Sequence, residues 1–210
     1  MSSEEDRQEA LNGAYFVRHI SAPLHLLQGE RAAMADFDLS FAGFFRSFLS
    51  VLLVAPLYLY ARLAELGTYA RVQAESPLAD LPPPPELTAA FFIVEVLRYL
   101  VLVTAFPVAM VFLARVLGQQ QRYVAFIVAY NWAKVPQMFV QVVPWFLLDS
   151  GFSTLESTSF LMAGALIFTL FFRWQVTRIA FSVPPFMAAA LVIIDGLLFL
   201  LLYLLIGLAQ

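Results

Sequence analysis

Five long, nearly uninterrupted apolar runs dominate this chain. They fall at about 43–64, 91–115, 122–147, 158–178 and 185–209. About 20 mostly apolar residues in a helix cross the roughly 30 Å of bilayer hydrocarbon. A β-barrel would instead show alternating segments of about ten residues, and these runs are continuous and more than twice as long. The expected fold is all-α: a polytopic integral membrane bundle of five transmembrane helices. Composition agrees, with 61% of residues hydrophobic and 13% charged, against about 25% charged in soluble domains.

The chain reads as two parts: a polar tail over 1–40 and a membrane domain over 41–210. Within the tail, 22–37 (APLHLLQGERAAMADF) is expected to form a helix with Leu24, Leu27 and Met34 on one face, either interfacial or an ordinary cytoplasmic tail helix. Residues 1–12 lack apolar anchors and are expected to be poorly ordered. Asp38 or Ser40 suits the N-cap of the first span. The 65–90 link carries four consecutive prolines, which favour an extended spacer.

Arginine placement gives the orientation. With the N-terminus inside, Arg7, Arg18, Arg31, Arg46, Arg115, Arg122, Arg173 and Arg178 are cytoplasmic, and Arg62, Arg71 and Arg98 lie outside. This asymmetry predicts an N-in, C-out topology, in what reads as a bacterial cytoplasmic (inner) membrane.

Charges inside the runs are the candidate functional residues, because polar groups in a span face protein or water rather than lipid. Lys134 is the only lysine in the chain. It lies about 18 Å from the Arg122 end of its run, and Asp195 lies about 15 Å from the Pro185 end of its own. Two opposite charges at one depth are expected to pair. The pair would be static packing, a proton or ion relay, or a contact to another subunit. Asn131, Lys134, Gln137 and Gln141 recur at helical spacing as one polar stripe. Pro136 and Pro144 are expected to break backbone bonds on the same helix. Glu95 and Arg98 are spaced for a local ion pair near the outer interface. Arg173, five residues before Arg178, is expected to snorkel toward the cytoplasm.

No cofactor or metal is expected. Cysteine is absent, His19 and His25 have no third ligand nearby, and nucleotide-binding, hydrolase and metalloprotease motifs are missing. The net charge of −3 argues against nucleic acid as a partner. The partners expected are the lipid bilayer and other membrane proteins, or further copies of the chain.

The junction LLQGERAAMADFDLSFAGFFRSFLSVLLVAP and the YNW segment of the third run, with the order of tail and spans over roughly residues 22–205, give a further reading. In this layout the chain resembles the Yip family of small five-span membrane proteins, including its divergent bacterial branch. The eukaryotic tail signature of Asp-Leu-Tyr-Gly-Pro type does not occur here, so the resemblance implies no Rab-GTPase partner and no functional residues. The function expected is a non-enzymatic membrane scaffold or accessory subunit. The alternative is a small oligomeric transporter or channel that uses the polar stripe.

Overall fold

The computed structural model describes residues 11–75 and 83–208. Among them the fold is all helical: α1 (Gly13–Leu27), α2 (Phe41–Arg46), α3 (Leu49–Glu75), α4 (Ala89–Val116), α5 (Tyr123–Asp149), α6 (Leu155–Ala180) and α7 (Pro185–Leu208). Most of the expected disordered N-terminus and the start of the proline run lie outside the described residues.

Among the described residues four helical stretches are long and apolar enough to cross a membrane: Phe41–Ala74, Ala89–Val116, Leu155–Ala180 and Pro185–Gly207. α5 is as long, with 27 residues, but its polar stripe lowers its hydropathy below theirs. The reason for that composition is its position. α5 packs against α1, α2, α3, α4 and α6, and residues 125–135 are buried without a break. A helix surrounded by protein need not be apolar all round. Pro136 and Pro144 do not interrupt it: the helix runs from Tyr123 to Asp149.

Short connections make the long helices antiparallel neighbours. Gly118 (φ +64°) and Gly151 (φ +75°) take the left-handed backbone that ends α4 and α5, a conformation glycine adopts without a Cβ penalty. The five long helices form a ring in which α3 contacts α5, α5 contacts α6, α6 contacts α7, α7 contacts α4 and α4 contacts α3.

The tail corrects the sequence reading. The expected helix over 22–37 is cut at Gly29 (φ +89°). The tail's α-helix begins earlier, capped by Asn12, whose side chain accepts from Tyr15 N at 3.0 Å. Its buried stripe is Tyr15, His19, Ala22 and Leu26, while Leu24 faces out. α1 therefore docks on α5 and α6. Gln175 on α6 donates to Leu27 O at 3.3 Å, supplying a partner that the last turn of α1 lacks. Trp132 on α5 is the platform, with His19 at 5.2 Å and Tyr15 at 6.1 Å between ring centres.

His19 ties the tail to its own continuation. Asp38 N donates to Nε2 at 3.0 Å, and Nδ1 lies 2.8 Å from Tyr15 O. An amide N–H can only donate and a carbonyl can only accept, so the ring is the neutral tautomer with its proton on Nδ1. Ser40 caps α2 through Gly43 N at 3.0 Å, as its sequence position suggested. A Cβ at position 43 would overlap the Asp38 backbone carbonyl.

Gly43→Ala is therefore expected to displace Asp38 and loosen α1. Overpacking of this kind costs about 1–3 kcal/mol, so amide exchange over residues 13–27 should rise about tenfold or more. Gly67→Ala, which meets open space, should leave it unchanged. Equal exchange in both variants would break the link between Asp38 and the docked helix.

Candidate functional site: a polar cavity between the helices

The place of Lys134 follows from a proline on another helix. Pro107 in α4 has no N–H, so the carbonyl of Val103, four residues earlier, loses its intrahelical donor. Lys134 Nζ supplies one, at 2.9 Å. The same ammonium donates to Asn131 Oδ1 at 3.2 Å, and Asn131 Nδ2 donates to Ser47 Oγ at 3.0 Å. Lys134 also sits 4.5 Å above the Tyr130 ring, a cation–π geometry. Three segments are thereby joined: α4, α5 and the link between α2 and α3.

Asp195 is not the ion-pair partner of Lys134. Arg173 takes that role, with Nη1 2.8 Å from Asp195 Oδ2. Tyr130 donates its hydroxyl to the same carboxylate, 3.0 and 3.1 Å from its two oxygens. The expected pairing fails because depth alone does not choose a partner. α6 and α7 are consecutive, and Arg173 and Asp195 stand seven and ten residues from their shared turn. That is a difference of about one helical turn, which an arginine side chain spans. Arg173 thus reaches inward rather than snorkelling out, and its Nε donates to Gln137 Oε1 at 3.3 Å. Tyr130 links the two cations indirectly, its hydroxyl on Asp195 and its ring beneath Lys134.

The stripe of α5 is satisfied residue by residue. Asn131 meets Ser47, Lys134 meets Val103, Gln137 meets Arg173, and Gln141 donates to Thr169 Oγ1 at 3.1 Å.

A second polar cluster lies toward the other end of the ring. Arg98 Nη1 is 3.2 Å from Glu95 Oε1, the local pair expected from their spacing. Both residues are 2% exposed, so this is a buried pair rather than a surface one. Burial requires more than one partner. Arg62 Nε lies 3.1 Å from Glu95 Oε1, and the Tyr58 hydroxyl donates to Oε2 at 3.1 Å. Arg62 also pairs with Glu65 at 2.9 Å, and Tyr203 donates to Glu65 at 3.2 Å. Sequence reading missed Tyr58, Arg62 and Glu65. Their spacing of four and three residues on α3 is the signal that marks them as one face.

Between the two clusters is a cavity of about 400 Å³. Lys134, Arg173 and Asp195 line one end of it and Arg62 and Glu65 the other. All five long helices contribute to its wall. Gln137 and Gln141 also line it, so three members of the stripe face this space. Its volume lies in the range of small-molecule sites, and its make-up, apolar walls with a few convergent polar groups, is typical of them.

Removing Lys134 should leave the Val103 carbonyl without a donor. Lys134→Met is expected to cost about 1–3 kcal/mol in detergent unfolding. In a Pro107→Ala background the cost should shrink, because an N–H at position 107 restores the helix bond. Asp195→Leu alone should cost about 3–5 kcal/mol and Arg173→Met/Asp195→Leu much less. A coupling energy larger for Lys134 with Asp195 than for Arg173 with Asp195 would contradict these pairings.

Comparison of the chain with protein families, with curated proteins and with solved structures finds no match.

Proposed function

We propose that the chain is a five-span integral membrane protein, N-terminus cytoplasmic and C-terminus outside, that admits a small molecule to the cavity between its helices. It is a transporter or channel of small size, non-enzymatic, in a bacterial cytoplasmic membrane, and self-association would complete its path. The observation that carries this reading is that Lys134, Gln137 and Gln141 line an open space rather than a sealed seam.

α5 serves as the fifth span. Its 27 residues reach about 40 Å, more than the hydrocarbon thickness. Its polar groups turn toward protein, where lipid does not meet them. The arginine asymmetry then sets α1, Gly118 and the α6–α7 turn on the cytoplasmic side. The cavity runs from mid-depth toward the outer face. The order of tail and spans that resembles the Yip family supports the same topology.

The chain has no cysteine, so single thiols can map it in intact cells. An impermeant maleimide should label Ser153→Cys and spare Gln120→Cys; the reverse pattern would overturn the orientation. A small charged methanethiosulfonate should modify Met138→Cys, which lines the cavity, faster than Phe139→Cys, which is exposed on the outside of the bundle. Equal rates would mean a dry interior and would return the scaffold reading.

A further inference from the structure

The charges around the cavity do not balance. At its inner end stand two cations, Lys134 and Arg173, and one carboxylate, Asp195. At the outer end Arg62 and Glu65 pair with each other. Behind that pair Glu95 is shared by Arg62 and Arg98. By formal charge the inner end therefore holds one basic group more than it has carboxylates, at a depth where an uncompensated charge is costly.

Its hydrogen-bond donors are in excess as well. An ammonium has three donors, and Lys134 spends two of them on Val103 O and Asn131 Oδ1. A guanidinium has five donors, and Arg173 spends two, on Gln137 and Asp195. Both residues line the cavity. The walls above them are apolar and aromatic, among them Val54, Leu102, Met138, Trp145 and Phe199.

We infer that the cavity binds an amphipathic monoanion, its carboxylate or phosphate head on Lys134 and Arg173 and its apolar part along the walls toward Trp145. One such charge neutralises the inner end and accepts from the donors left over. Charge-assisted bonds of this kind are the strong ones in a low-dielectric site. The inference rests on the open cavity proposed above. It adds the sign of the ligand and the two residues that read it. Such an anion could arrive as a free carboxylate or as the head group of an anionic lipid, and the same chemistry serves both.

The test uses the full chain in phosphatidylcholine nanodiscs and bromine quenching of tryptophan fluorescence. The part of the quenching lost in Trp145→Phe reports the cavity. 8-Bromooctanoate should quench this part saturably, with 8-bromooctan-1-ol and 8-bromooctylamine at least about tenfold weaker, the worth of one charge-assisted bond. Lys134→Gln keeps a donor for Val103 O and removes the charge, and it should weaken the carboxylate alone. Gln141→Glu puts an anion into the cavity, its carboxylate able to accept from the Thr169 hydroxyl in place of the amide bond it removes, and it should do the same should Lys134→Gln fail to fold. Equal quenching by the three probes, or preference for the amine, would overturn the assignment. Phosphatidylglycerol added to the discs distinguishes the sources. Competition with 8-bromooctanoate identifies a lipid head group, and lack of competition a soluble carboxylate; both support the anion site. Thiol labelling of Met138→Cys without any carboxylate preference would refute the anion and leave the open cavity standing. Failure of both would remove the two together.

Discussion

A carbonyl without its amide is the constraint on which the interior depends. Pro107 strips Val103 of its helical donor, and a carbonyl inside a helix bundle needs another partner. Lys134 fills that role, but it brings a charge with it. The charge is then held by Asn131 and by the Tyr130 ring. Tyr130 in turn is committed to Asp195, and Asp195 to Arg173. One missing N–H on α4 thus propagates into a network that reaches every long helix but α3, and Asn131 extends it to Ser47 just before α3. Because the network lines the cavity, the same residues that hold the helices in register also set the polarity of the space between them.

Much of this was legible in the sequence. The apolar runs became long helices, Ser40 became a cap, and the α5 spacing predicted a stripe whose members find partners inside the bundle. Glu95 and Arg98 met as their spacing required. What escaped was azimuth. Residue counting gives height along a helix but not which neighbour a side chain faces, so Lys134 and Asp195 were placed at one level and matched by sign. The information that corrects the match was also present: Pro107 lies on α4 at about the depth of Lys134, and Arg173 and Asp195 flank a single turn. A carbonyl freed by proline carries no letter of its own in the sequence, which is why it is easily overlooked.

The tail helix lies earlier in the chain than its apolar spacing suggested, and for a different reason. An amphipathic segment beside a membrane suggests a lipid-facing helix, yet the buried face of α1 is Tyr15, His19, Ala22 and Leu26 rather than a row of leucines. Aromatic and imidazole rings suit a protein surface of matching shape, here Trp132, while Gln175 bonds the backbone at the end of the helix. Trp132 lies deep in α5 and makes sense only with the tail in place. Its burial could have pointed to a cover supplied from elsewhere in the chain.

The partners in the polar network also have an order in time. Translation makes the helices from α1 to α7, and domains form from the N-terminus first. When Glu95 emerges, Tyr58 and Arg62 already exist. When Asn131 and Lys134 emerge, Ser47 and Val103 are waiting. The group that waits on α4 is a neutral carbonyl, which tolerates delay better than an ion. Arg173 precedes its carboxylate by 22 residues, but it stands close to the end of α6, where a long side chain can reach the interface until α7 arrives. Each charge of the network is therefore made after its partner or, for Arg173, one helical hairpin ahead of it.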